Sequence, residues 1–92
     1  MTEAEFLQKL KDEGYDGPFD FEMGPNGADT EHTHEKDIIA MVTEGQLTIE
    51  KPSGNVTCEV GEIVSYPAGE PHIEKAGPAG AKALVGRRTP AE

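Results

Sequence analysis

Eleven glycines and seven prolines fall between short runs whose apolar and polar residues alternate, and this punctuation limits what the 92-residue chain can fold into. It favours many short strands joined by turns. Phe19-Asp20-Phe21-Glu22-Met23 reads as a half-buried strand with its aromatics inward, and Gly24-Pro25-Asn26-Gly27 as a turn. Ile38–Thr43 is apolar enough for a strand covered on both faces, and Glu44-Gly45 reads as a turn into the alternating Gln46–Lys51. Beyond the turn Pro52–Asn55, Val56, Cys58 and Val60 share one face, and Cys58 reads as a small buried hydrophobe. Ile63–Tyr66, Ile73–Lys75 and Ala81–Arg88 complete the strands, with Gly77-Pro78-Ala79-Gly80 as a turn and Thr89–Glu92 as a loose tail. With Thr30–His34 included, about eight short strands are expected, the pattern of an antiparallel sandwich or barrel.

One segment breaks the period. Thr2–Glu13 reads as an amphipathic helix: Thr2 and Glu5 form a capping-box pattern, Phe6, Leu7 and Leu10 make one stripe, and Gly14 is placed to end it. The stripe is expected to pack on the outside of a barrel or against a partner subunit. A chain of this length makes one domain, residues 1–92, with the barrel over about 19–88. Its formal net charge of −10 argues against nucleic acid or anionic lipid as a partner. A single cysteine forbids an intrachain disulfide, and no stretch reads as a signal peptide or membrane span, so a cytoplasmic location is the default expectation.

Chemistry is concentrated in three histidines. His32 and His34, one residue apart on a strand, project to the same face, as a metal site on a strand requires. His72 closes the run Tyr66-Pro67-Ala68-Gly69-Glu70-Pro71-His72, five residues separate Gly61 from Pro67, and the spacing G-x5-P-x-G-x2-H is specific where HxH alone is not.

Together these stretches resemble the cupin superfamily, whose first motif is roughly G-x5-HxH-x3,4-E-x6-G and whose second is G-x5-P-x-G-x2-H-x3-N. Gly27, His32, His34 and Gly45 match the first with one residue fewer after Gly27, and Gly61 through His72 match the second, with Ala76 at the Asn position. Counting back from Gly45, the metal-binding Glu of the family falls on Ile38, which cannot coordinate. The resemblance covers about Phe19–Arg88. It implies an all-β fold, a small cupin barrel of the jelly-roll or double-stranded β-helix type, here with one N-terminal helix. It also implies one divalent transition metal (Fe, Zn, Ni, Mn or Cu) on His32, His34 and His72, with Asp37 as the candidate to replace the missing carboxylate. The alternative is a barrel that kept the scaffold and lost its metal.

Other polar residues invite blander readings. Glu31 is expected outward, Glu70 at the barrel mouth and Tyr66 in the core, with a hydroxyl lining the pocket as its alternative. Arg87 and Arg88 are expected in ion pairs, although one of them, and at most one because adjacent strand residues face opposite ways, could hold an anionic ligand. The implied cavity wall, Ile38, Ala40, Val42, Ile63 and Ile73, is apolar. No nucleophile elbow, Walker loop or Cys–His pair is present, so chemistry would have to come from the metal. Two functions fit: a metal-dependent enzyme of dioxygenase, isomerase or lyase type acting on a small molecule, or a non-catalytic small-molecule or metal-sensing barrel. A homodimer is expected, with Ile39 and Met41 or the first helix as contacts.

Overall fold

The computed structural model describes residues 1–90; the end of the expected tail, residues 91–92, lies outside the described residues. The chain forms α1 (Glu3–Asp12), β1 (Asp16–Met23), β2 (Asp37–Glu50), β3 (Val56–Cys58), β4 (Ile63–Tyr66) and β5 (Ile73–Arg88). All pairings are antiparallel, in the order β1-β5-β2-β3, with β4 also on β2. No described helix is long and apolar enough to cross a membrane.

The helix begins as its sequence requires. The Thr2 hydroxyl accepts from the Glu5 amide at 3.1 Å and the Glu5 carboxylate accepts from the Thr2 amide at 2.8 Å. Both otherwise orphaned amides are thereby satisfied. Phe6 and Leu10 are buried against Ile39 and Met41 on the outer face of β2. Gly86 permits the close approach, because a Cβ there would lie 2.4 Å from Leu10 Cδ2. Ile39 and Met41 are thus covered by the chain's own helix, which removes them as the expected dimer contact.

The opposite face of β2 supplies Ile38, Ala40, Val42, Leu47 and Ile49 to the interior, joined by Cys58, Val64, Tyr66, Ala76 and Ala81. Burial raises the Cys58 thiol pKa, which suits an inert core residue.

Among the described residues five strands stand where about eight were expected. Glu44-Gly45 and Gly77–Gly80 do not end strands; β2 and β5 run through them as one long ribbon. Ala76 pairs with Leu47 and Ala81 with Gly45, so Gly77–Gly80 bulge out over the single residue Gln46. Pro78 is tolerated there because it owes the ladder no hydrogen bond. Gly45 (φ +73°) is needed at this corner, since a Cβ on it would sit 2.0 Å from the Gly80 carbonyl oxygen. Bulges bend a ribbon without cutting it, and local turn chemistry looks the same in both cases.

The histidine stretch is not a laddered strand either. It is held by two isolated bridges, Ala28 with Lys75 and His32 with His72. Between them the Asp29 carboxylate accepts the Glu74 amide proton at 2.7 Å, a side chain taking the place of a backbone carbonyl.

Candidate metal centre

His32 and His72 exchange backbone hydrogen bonds at 3.0 Å in both directions, which locks the two motifs together at one end of the barrel. His34 follows on the same face, and the three imidazole centroids stand 4.4 to 5.0 Å apart. Glu74 completes the group: its Oε1 lies 3.4 Å from His72 Nε2 and 3.7 Å from His32 Nε2. One ligand atom from each of the four residues can be chosen so that all lie within 4.8 Å of one another. Donors about 2.0–2.2 Å from a common ion span up to about 4.4 Å, so small side-chain adjustments suffice.

Backbone carbonyls set the tautomers. His32 Nδ1 is 2.7 Å from the Thr30 carbonyl and His72 Nδ1 is 3.0 Å from the Glu70 carbonyl. A carbonyl only accepts, so each Nδ1 carries a proton and each Nε2 is the nitrogen turned toward Glu74. Burial, and then the neighbouring His72 and His32, hold the His34 pKa below its ordinary value, which also favours the neutral ligand form. His72 Nε2 is fully buried with no hydrogen-bond partner. Leaving a buried polar atom unmet costs about 1–3 kcal/mol, so this orphan points to something that would satisfy it.

Glu74 makes the same case through charge. Burial first, then the nearby Asp29 carboxylate, raises its pKa. The only groups of opposite potential charge within ion-pair distance, among the described residues, are His32 and His72. Tyr66 donates its hydroxyl to Glu74 Oε1 at 3.4 Å, and burial followed by the Glu74 charge keeps that phenol protonated well above its usual range. A divalent cation among these groups would offset the buried carboxylate and fill the coordination of His72 Nε2. The donor set therefore fits a metal.

The structure does not bring Asp37 to the histidines. As the first residue of β2 it faces away from Ile38, accepts the Ala68 amide proton at 2.9 Å and lies 3.6 Å from Arg88 Nε. The carboxylate comes from Glu74 instead, which sequence reasoning missed. The signal was present: His72-x-Glu74 has the same two-residue spacing as His32-x-His34 and lies at the start of an expected strand.

A cavity of about 180 Å³ opens beside the cluster, lined by Phe19, Phe21, Ile38, Ala40, Leu47, Ile49, Val64 and Val85 together with His32, His34, Tyr66, Glu74 and Arg87. Ile38 and Ala40 line it as expected. Val42 is instead packed in the core, Ile63 is exposed with its neighbour Val64 turned inward, and Ile73 faces away from the side that carries His72 and Glu74. Phe19 stands at the mouth, 41% exposed rather than inward. Tyr66 is both a core residue and a hydroxyl at the site. Glu31 is exposed, and Glu70 lies 3.5 Å from Lys51. Arg88 has the ion pair expected of it, whereas Arg87 lies over the Phe19 ring at 4.7 Å.

A family model described as "Cupin domain" matches residues 19–84. No curated protein matches the chain in sequence. Among solved structures, a protein of unknown function from Rhizobium leguminosarum bv. viciae is 23% identical over 83% of this chain and 78% of its own, with a TM-score of 0.74. A cupin-2 domain containing protein from Shewanella frigidimarina is 30% identical over 65% of this chain and 59% of its own, with a TM-score of 0.59. A cupin superfamily protein from Desulfitobacterium hafniense is 17% identical over 77% and 64%, with a TM-score of 0.68.

Proposed function

The chain belongs to the cupin domain family, and from that premise we propose that it binds one divalent transition metal through His32, His34, His72 and Glu74 and works as a metal-dependent enzyme on a small molecule held in the adjoining cavity. The observation that carries this reading is the buried, unpartnered Nε2 of His72 facing the buried carboxylate of Glu74. When bound, the metal supplies Lewis-acid or redox chemistry beside an apolar pocket. His32, His34, His72 and Glu74 would hold the ion, and a metal that accepts more than four ligands would keep a position for substrate or water. The chain's own contribution is positional. The Thr30 and Glu70 carbonyls fix the imidazoles, Tyr66 donates a hydrogen bond to Glu74, and Ile38, Ile49 and Val64 line the ligand side with apolar surface.

The deciding measurement is metal content by plasma mass spectrometry on tag-free protein purified without chelator, beside a folded His32→Ala/His34→Ala double variant. Near-stoichiometric metal that disappears in the variant is expected. Equal, background metal in both, even after reconstitution with Fe, Ni, Zn, Mn and Cu, would leave a metal-free binding barrel. The same reading includes a homodimer, which a monomeric mass in light scattering at micromolar concentration would refute.

A further inference from the structure

One cation stands on the cavity wall. Alternation along β5 places Arg87 on the inner face with Ala83 and Val85, and the ladder sets it opposite Ile38 of β2. Arg88, on the other face, is taken up by Asp37 and by the Glu13 carbonyl at 2.7 Å. Arg87 has no carboxylate within ion-pair distance among the described residues, although the chain carries 18 acidic side chains. Asp20 also borders the cavity, but by alternation it projects from the opposite face of β1 to Phe19 and Phe21. The Arg87 Cζ lies over the Phe19 ring, 4.7 Å from its centroid. Such a cation–π contact steadies the guanidinium, whose N–H groups match a carboxylate in bidentate fashion.

Apart from His32, His34, Tyr66 and Glu74 at the histidine cluster, the wall beyond those N–H groups is mostly apolar, and about 180 Å³ is small beside the roughly 300–1,000 Å³ of pockets for drug-sized ligands. We propose that Arg87 anchors the single carboxylate of a small acid whose apolar body fills the cavity between Phe21, Ile49 and Val64. This rests on the reading of that cavity as the ligand site, and it names the substrate class: a small monocarboxylate. A neutral molecule of the same shape would leave the guanidinium edge unmet.

Isothermal titration of the full chain with benzoate against benzamide, and isobutyrate against isobutyramide, tests this on wild type, Arg87→Gln and Arg87→Lys. Acids are expected to bind in preference to amides, and Arg87→Gln to weaken the acids by about tenfold or more, the loss of a charge-assisted pair, with the amides unchanged. Arg87→Lys, a point charge without the fork, should fall between. The proposal is overturned if either acid binds Arg87→Gln as tightly as wild type, if the amides match the acids, or if neither acid binds at millimolar concentration. Metal content of the same samples separates this proposal from the metal reading. Acid binding that follows Arg87 in metal-free protein would sink the metal and keep the anchor. Acid binding that ignores Arg87 in metal-loaded protein would sink the anchor and keep the metal.

Discussion

The two faces of β2 are built from the same kinds of residue and do opposite jobs. On the outer face Ile39 and Met41 are sealed under Phe6 and Leu10 of α1, all of them 3% exposed or less. On the inner face Ile38, Ala40 and Ile49 border a cavity that is also lined by the His32 and His34 imidazoles, the Glu74 carboxylate and the Arg87 guanidinium. The outer layer is filled and carries stability; the inner layer is left partly open, and its apolar wall lines a cavity. An apolar side chain in this chain therefore says little about its task until the face it occupies is known.

Five substitutions test that contrast. Phe6→Ala should have the largest effect, costing about 3–5 kcal/mol in urea unfolding because Phe6 is fully buried under the sheet. Metal stoichiometry of the folded fraction should not change, and a cost below 1 kcal/mol would show that α1 is not part of the core. Next, Ile39→Ala should cost about 2–5 kcal/mol and Ile38→Ala should fall at or below the low end of that range, because Ile38 already borders a void. Equal costs in chemical denaturation would erase the distinction between the faces. Asp29→Ala removes the acceptor of the Glu74 amide and should weaken metal binding about 10–100-fold, the usual penalty for a supporting group. Competition with a chelator of known affinity reads this directly, and an unchanged affinity would remove Asp29 from the site. Thr2→Ala should be smallest, about 1 kcal/mol from the lost cap, and visible as a lowered Tm with unchanged metal content.

Much of this was legible in the residues. The capping box of Thr2 and Glu5, the doubly buried run Ile38–Val42, the buried Cys58 and the convergence of His32, His34 and His72 all follow local periodicity or motif spacing. The misreadings share a cause. Gly77-Pro78-Ala79-Gly80 has turn composition, yet a bulge in a continuous strand uses the same residues, and only the partner strand decides between them. Nearness to Ile38 in sequence points to Asp37 as the fourth ligand, whereas the carboxylate in the cluster lies on another strand.

By itself, then, the sequence determined the helix and its cap, the all-β barrel and the three histidines, because each rests on a period or spacing contained within one segment. Only the tertiary structure decided that Glu74 joins them, that Asp37 turns to Ala68 and Arg88, and that Arg87 faces the cavity without a counter-ion among the described residues. Those outcomes depend on register between strands far apart in the chain, and a shift of one residue would turn every one of these side chains to the other face.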